Sequence, residues 1–105
     1  MVCTFCSITA KDIPSDIIHE DDRFIVFKDI QPKAPFHVLV VPKEHIVSLI
    51  EAKEDHRALM GDMVFLAKKV AEDQGLNGYK ILMNVGKEGG QEVDHIHLHV
   101  LASKA

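Results

Sequence analysis

Seven residues near the carboxyl end, His95-Ile96-His97-Leu98-His99-Val100-Leu101, alternate strictly between imidazole and aliphatic side chains. In an extended strand alternate residues share a face, so Ile96, Leu98 and Val100 turn inward while His95, His97 and His99 line the other side. At ~3.3 Å of rise per residue, successive imidazoles start ~6.6 Å apart, which lets several rings surround one small charged group. Three rings on one face offer little packing and repel one another if all are protonated near their ordinary pKa of ~6.5. Two chemistries fit the bare pattern. His-x-His can supply two ligands of a catalytic zinc, or one neutral imidazole can act as a nucleophile while its neighbours bind an anion or move protons. The upstream Gly89-Gly90-Gln91 favours the second, because glycines let backbone N–H groups approach a phosphate closely. Asn84 can orient a ring or donate a hydrogen bond.

A second constellation lies at the other end. Cys3 and Cys6 form a Cys-x-x-Cys. A redox role needs a strand-to-helix context that is missing here, and two cysteines without a secretion signal do not make a disulfide framework. Half a zinc site is the better reading, since zinc takes four ligands; the alternative is two reduced thiols on a frayed terminus. His19 and His56 have no partner in either constellation.

The elements that must position these groups follow from pattern. Thr4 to Lys11 reads as a short helix or loop. Ile17-Ile18-His19 and Arg23 to Phe27 read as strands split by a turn at Glu20-Asp21-Asp22. Asp29 to Pro35 is a loop, because two prolines in four residues preclude a ladder. Phe36 to Val41 is a strand closed by Pro42, with both faces covered. Asp55 to Gln74 is the long helix: Leu59, Met60, Met63, Val64, Ala67, Val70 and Ala71 recur at helical spacing, and Gly75 suits the C′ position. Tyr79 to Val85 and His95 to Leu101 are the last strands, separated by the turn at Gly86 to Gly90. An α+β domain results, with about five antiparallel strands joined by short turns between neighbours, one long helix and a short N-terminal helix.

Composition bounds the rest. The 105 residues make one domain, 1–105. Twelve Lys and Arg against 16 Asp and Glu give a net charge of −4, which argues against a nucleic-acid partner. No apolar run reaches membrane-spanning length, and Met1 to Cys6 lacks the features of a signal peptide. A cytoplasmic protein is expected.

With those residues in place, the sequence resembles the histidine triad family, whose defining run is His-φ-His-φ-His-φ-φ with φ hydrophobic. Besides His95 to Leu101, the resemblance extends through Phe5-Cys6, Ile13-Pro14, Glu20 to Arg23, Phe27 to Ile30, Ala34 to His37, Val41 to His45, and Asn84 onward. Order and spacing are similar to the Hint branch, the nucleoside phosphoramidases. The resemblance implies a HIT-like fold and a catalytic set of His97, His99 and His37. His97 attacks the α-phosphorus of an adenosine 5′-phosphoramidate, an adenylyl-imidazole forms, and water releases AMP. His99 and His37 contact the phosphate from either side. Asn84, Gly90 and Gln91 complete the phosphate site. Asp29 holds the ribose hydroxyls with the Ile30 backbone beside it, and Phe5, Ile8, Phe27 and Leu39 wall the purine pocket. By the same resemblance His45 and His95 complete a structural zinc site with Cys3 and Cys6, no metal being required for catalysis, and the protein is a homodimer. A dinucleoside polyphosphate hydrolase of Fhit type and a purine nucleotide-binding regulatory protein with little turnover are the alternatives. Two features depart from the branch: Glu92 stands where Ser or Thr is usual, and the chain stops at Ala102 to Ala105 where Hint proteins carry a tail that shapes leaving-group preference.

Overall fold

Three consecutive runs rich in β-branched and aromatic residues form strands: β1 (Ile17–Glu20), β2 (Phe24–Lys28) and β3 (Phe36–Pro42). The turn between the first two is fixed by the Asp21 carboxylate, which accepts the backbone N–H groups of Arg23 and Phe24, both at 2.8 Å. In the computed structural model, which describes residues 3–104, these strands join β4 (Lys80–Leu82) and β5 (Leu98–Ala102). The result is a single antiparallel sheet of order β1-β2-β3-β5-β4. Met1 and Val2, part of the segment read above for a signal peptide, and Ala105, the last residue of the 1–105 domain, lie outside the described residues.

A short helix, α1 (Thr4–Thr9), precedes the sheet, and a long one, α2 (Arg57–Asp73), connects β3 to β4. The long helix ends as Gly75 foretold. Gly75 has φ 74°, its N–H bonds the Glu72 carbonyl, and the Leu76 N–H reaches back to Ala71, the paired bonds of a Schellman cap. At the other end Asp55 and His56 belong to a 3-10 turn, Glu54–His56, so the α-helix begins at Arg57.

The two faces of the sheet bury different partners. Val26, Val38, Val40, Leu98 and Val100 point toward Leu59, Met63, Leu66, Ala67 and Val70 of α2 and form the main core. Ile25, Phe27, Leu39 and Val41 point the other way and pack on Phe5 and Ile8 of α1. Both faces of β3 are therefore covered, as its continuous apolar run implies.

Two sequence expectations need correction. Chain order is not sheet order: β5 inserts between β3 and β4, so α2 and the long loop 83–97, rather than short turns, make the later connections. The histidine run is also only partly strand. β5 begins at Leu98 because its ladder with β3 ends at the Val40–Leu98 pair. Two residues further along β3 stands Pro42, which has no N–H to donate, and its carbonyl is taken by the His95 ring, Nε2 to O 2.7 Å. The Ile96 N–H turns instead to the Ile46 carbonyl at 2.7 Å. β4 is also shorter than the sequence suggests, pairing with β5 only from Lys80–Leu101 to Leu82–His99.

Candidate active site

Although His95 and His97 precede β5, the alternation of faces survives. Ile96 is in the main core while His95, His97 and His99 face the α1 side. They do not share one task. His97 and His99 line a cleft of about 470 Å³ between α1, the loop after β2 and the loop before β5. His95 turns away from it toward Cys3, Cys6 and His45.

Hydrogen-bond partners fix the protonation pattern of each ring, because a backbone N–H only donates and a carbonyl only accepts. His97 Nδ1 donates to the His95 carbonyl at 2.7 Å, which leaves Nε2 as a bare lone pair. The Lys33 backbone N–H donates to His37 Nδ1 at 3.0 Å, so the His37 proton sits on Nε2. That proton goes to His99 Nδ1, 2.9 Å away, and His99 therefore carries its own N–H on Nε2. Asp29 Oδ2 lies 3.3 Å from His37 Nε2 and reinforces this polarity. The chain amide → His37 → His99 thus donates in one direction throughout.

Burial keeps these rings neutral. Desolvation lowers the pKa of His97, opposed by its bond to the His95 carbonyl and by Asp29. Desolvation likewise lowers His37. His99 falls to about 4, through desolvation first and then the neighbouring His97 and His37. The unfolded chain, with an ordinary histidine, binds more protons than the folded one below pH ~6.5. Stability should therefore be lost as pH falls from about 6.5 toward 4. Urea unfolding midpoints at pH 7 and pH 5 measure this, and His99→Asn should flatten the difference; an unchanged slope in that variant refutes the assignment to His99.

The remaining predicted residues fall as follows. Phe5, Ile8, Phe27 and Leu39 form the apolar wall of the cleft, and Asp29, Ile30, Asn84 and Gly90 also line it. Ile30 is 95% exposed and stands at the rim of the cleft. Asn84 Nδ2 donates to the Gly89 carbonyl at 2.8 Å, and Gly90 takes φ 84°, a conformation glycine adopts without strain. Two expectations change. Gln91 is absent from the lining: its amide nitrogen donates to the Val47 and Val93 carbonyls at 2.6 and 2.9 Å, and its oxygen accepts from Gly86 N–H at 2.8 Å. Gln91 holds the loop rather than facing the cleft. His37 also lines the cleft, but both its nitrogens are engaged, so its ring acts on the site by setting the polarity of His99. Sequence reasoning missed Lys33, whose side chain lines the cleft and whose amide polarises the histidine chain. The signal available was its place between Pro32 and Pro35, just ahead of His37. Glu92, the departure from the family pattern, also lines the cleft. His19 and His56 make local surface contacts with Asp21 and Glu44.

The second cluster is a candidate metal centre. Cys3, Cys6, His45 and His95 bring one donor atom each within 4.8 Å of one another. Tetrahedral zinc, with Zn–S ~2.3 Å and Zn–N ~2.0–2.1 Å, sets its donors about 3.3–3.8 Å apart. Cys3 Sγ to His95 Nδ1 is 3.2 Å, Cys6 Sγ to His45 Nδ1 is 3.5 Å and to His95 Nδ1 is 3.7 Å, and the two Nδ1 atoms are 3.2 Å apart. His95 donates its Nε2 proton to Pro42, leaving Nδ1 as the lone pair that a metal requires. Asp29, His37 and His99 also cluster within 4.8 Å, but there the His37 Nε2 proton occupies the position a metal needs. The triad is therefore divided between two sites rather than assembled as one set of catalytic metal ligands.

The chain is similar to known proteins along nearly its whole length. A purine nucleoside phosphoramidase of Escherichia coli K12 is 40% identical over 102 residues, 95% of this chain and 86% of that protein. The crystal structure of a HIT family hydrolase from Legionella pneumophila superposes with a TM-score of 0.94 at 40% identity, covering 99% of this chain and 95% of the other. A zinc-bound histidine triad family protein from Mycobacterium smegmatis gives a TM-score of 0.84 at 36% identity, covering 99% and 76%. The family model described as "Scavenger mRNA decapping enzyme C-term binding" matches residues 2–105. A divided histidine run, the same fold and these identities along nearly the whole chain lead to one conclusion: the protein belongs to the histidine triad family.

Proposed function

We propose that the protein is a purine nucleoside phosphoramidase that cleaves the P–N bond of adenosine 5′-phosphoramidates through an adenylyl-histidine intermediate. The observation that carries this reading is the bare Nε2 of His97, held by the Nδ1 bond to the His95 carbonyl and turned into the cleft. That lone pair attacks the α-phosphorus. The electron pair of the P–N bond passes to nitrogen, which takes a proton from solvent and leaves as the amine. Water then attacks phosphorus and gives up a proton to solvent, the bond from phosphorus to His97 Nε2 breaks, AMP departs and His97 regains its lone pair. His99 offers its Nε2–H to a phosphoryl oxygen, and His37 fixes that polarity. Around the developing charge such preoriented donors stabilise the transition state. Asn84 and the Gly90 backbone would complete the phosphate site, Asp29 would hold the ribose hydroxyls, and the Phe5, Ile8, Phe27 and Leu39 wall would take the base, all of them lining the one cleft. Mass spectrometry of protein quenched during turnover tests the reading. A stoichiometric AMP adduct on His97 is expected; an adduct elsewhere, or none under burst conditions, refutes it.

Glu92 places a carboxylate in the same cleft as the phosphate. Glu92→Ser should tighten AMP binding severalfold at low salt, because like charges repel, and the gain should shrink as ionic strength rises. Titration calorimetry at two salt concentrations checks both.

We assign zinc to the Cys3, Cys6, His45 and His95 centre, where it would be a closed structural ion with no part in the displacement. Both thiols are unpaired, which suits a reducing compartment and supports a cytoplasmic location. Among the described residues no helix is long and apolar enough to cross a membrane. A homodimer is the proposed assembly. Phe65 of α2 is 71% exposed, and the edge strand β4 shows Ile81 and Leu82 to solvent, apolar surface that a second copy can cover. Sedimentation analysis decides the stoichiometry.

A further inference from the structure

We propose that Phe5 couples the metal centre to the nucleotide cleft, so that metal and nucleotide each tighten the binding of the other. The inference rests on the nucleotide and zinc readings above and adds a link between them.

Phe5 sits between Cys3 and Cys6 on α1 and is 5% exposed. Its ring meets three others edge-on: His97 at 4.9 Å between centroids, Phe27 at 5.5 Å and His95 at 5.8 Å. It therefore touches the nucleophile, the base-binding wall and a metal ligand at once. Its helix has six residues, far short of the ~12–15 that an isolated helix needs. What holds α1 in place is the packing of Phe5 and Ile8 on the sheet and the position of the two sulfurs. Cys3 is also the cap of the first turn, its sulfur accepting the Cys6 N–H at 3.4 Å. Ligation of both sulfurs thus fixes the first turn of α1, and with it the Phe5 ring.

A second path runs through His95. Its Nδ1 faces the metal centre while its carbonyl accepts the proton of His97 Nδ1. A shift of His95 on metal loss moves the acceptor that sets the His97 protonation pattern. In the other direction, a nucleoside seated against Phe5 and Ile8 orders α1 and so gathers Cys3 and Cys6 for the metal. Coupling of this kind is reciprocal by thermodynamic necessity. Phe5 is then a positioning residue for His97 as well as part of the wall.

The test measures zinc and AMP against each other. Titration calorimetry should show AMP binding about tenfold weaker in chelator-stripped protein than in zinc-loaded protein, within the usual range of site-to-site coupling. Competition with a chromophoric chelator, run on loaded protein alone, should show zinc held tighter by the same factor when AMP saturates. This arm does not require the stripped protein to fold. Phe5→Ala keeps all four metal donors, and its zinc affinity should no longer respond to AMP. Ring ¹⁵N shifts should report a single Nδ1-protonated His97 in the loaded protein and a mixture of tautomers in the stripped one. Zinc affinity that is the same with and without AMP in the native chain overturns the coupling. Loaded protein that fails to bind AMP overturns the nucleotide reading, and protein that takes up no zinc overturns the metal reading, so the three failures are distinguishable.

Discussion

His97→Ala is expected to lower the rate of adenosine 5′-phosphoramidate hydrolysis by about 10⁴-fold, or ~5.5 kcal/mol at 1.36 kcal/mol per tenfold, while AMP still binds. On the proposed mechanism the variant removes the one step for which His97 is needed, the formation of the phosphorus–nitrogen bond. It leaves the His99 donor, Asn84, Gly90 and the apolar wall in place, so ground-state contacts survive and the loss falls on kcat. The residual rate reflects direct attack by water within the remaining donors. The ring is 6% exposed and packs between Phe5 and His99, so its loss also opens a small polar hole next to the His95 carbonyl, which water can fill. Steady-state kinetics with AMP titration on the same preparation separates the two effects. Turnover within tenfold of the native rate sinks the nucleophile assignment, as does an adduct that persists in the variant.

The second large effect belongs to the metal centre. Cys6→Ser should reduce zinc from about one ion per chain to well below that, and should lower Tm by roughly 15–30 °C. The argument is linkage. An ion present at ~1,000 times its Kd stabilises the folded state by ~4 kcal/mol, and each kcal/mol is worth roughly 4–8 °C in a domain of this size. A serine hydroxyl is a poor zinc ligand beside a thiolate, so most of that stabilisation is lost when one ligand goes. Cys6 has the further task of tying α1 to His45 and His95, across 39 and 89 residues of chain respectively. Metal analysis and calorimetry on protein purified without chelator provide the check. A full complement of zinc in Cys6→Ser, or an unchanged Tm in protein stripped of metal, removes the assignment.

Much of this architecture is legible in the residue pattern, and the exceptions have local causes. The nearly continuous apolar run Phe36 to Val41, interrupted by His37, reads as a doubly covered strand and is one. The α2 periodicity and Gly75 mark the helix and its cap to within a residue or two. The start of β5 is not legible from alternation alone, because an extended chain alternates faces whether or not it is in a ladder. What ends the ladder is Pro42, distant in sequence, combined with a side chain that captures its carbonyl. The insertion of β5 between β3 and β4 is a pairing choice, on which periodicity is silent. At the site, residue types identify the histidines, but not the direction of their hydrogen bonds. That direction depends on the Lys33 amide, a backbone group that no side-chain motif reports. Gln91 shows the opposite limit: a polar residue beside two glycines reads as a phosphate contact, yet its partners are carbonyls that need a donor.

Those Gln91 bonds bear on how the molecule can adapt to its ligand. Three bonds from one buried amide, with Asn84 bonded to Gly89, clamp the loop before β5 both to itself and to the segment leading into α2. This jaw of the cleft is braced from behind, and the bonded amides of Gly86, Gly89, Gly90 and Gln91 should exchange more slowly than the exposed amides of Lys87 and Glu88 beside them. Any adjustment to the bound nucleoside then falls to the opposite jaw, where Ile30 stands free in solvent and the short α1 rests on Phe5, Ile8 and its two sulfurs. A rigid phosphate anvil facing a compliant nucleoside-side lip would let one catalytic geometry serve a range of bases.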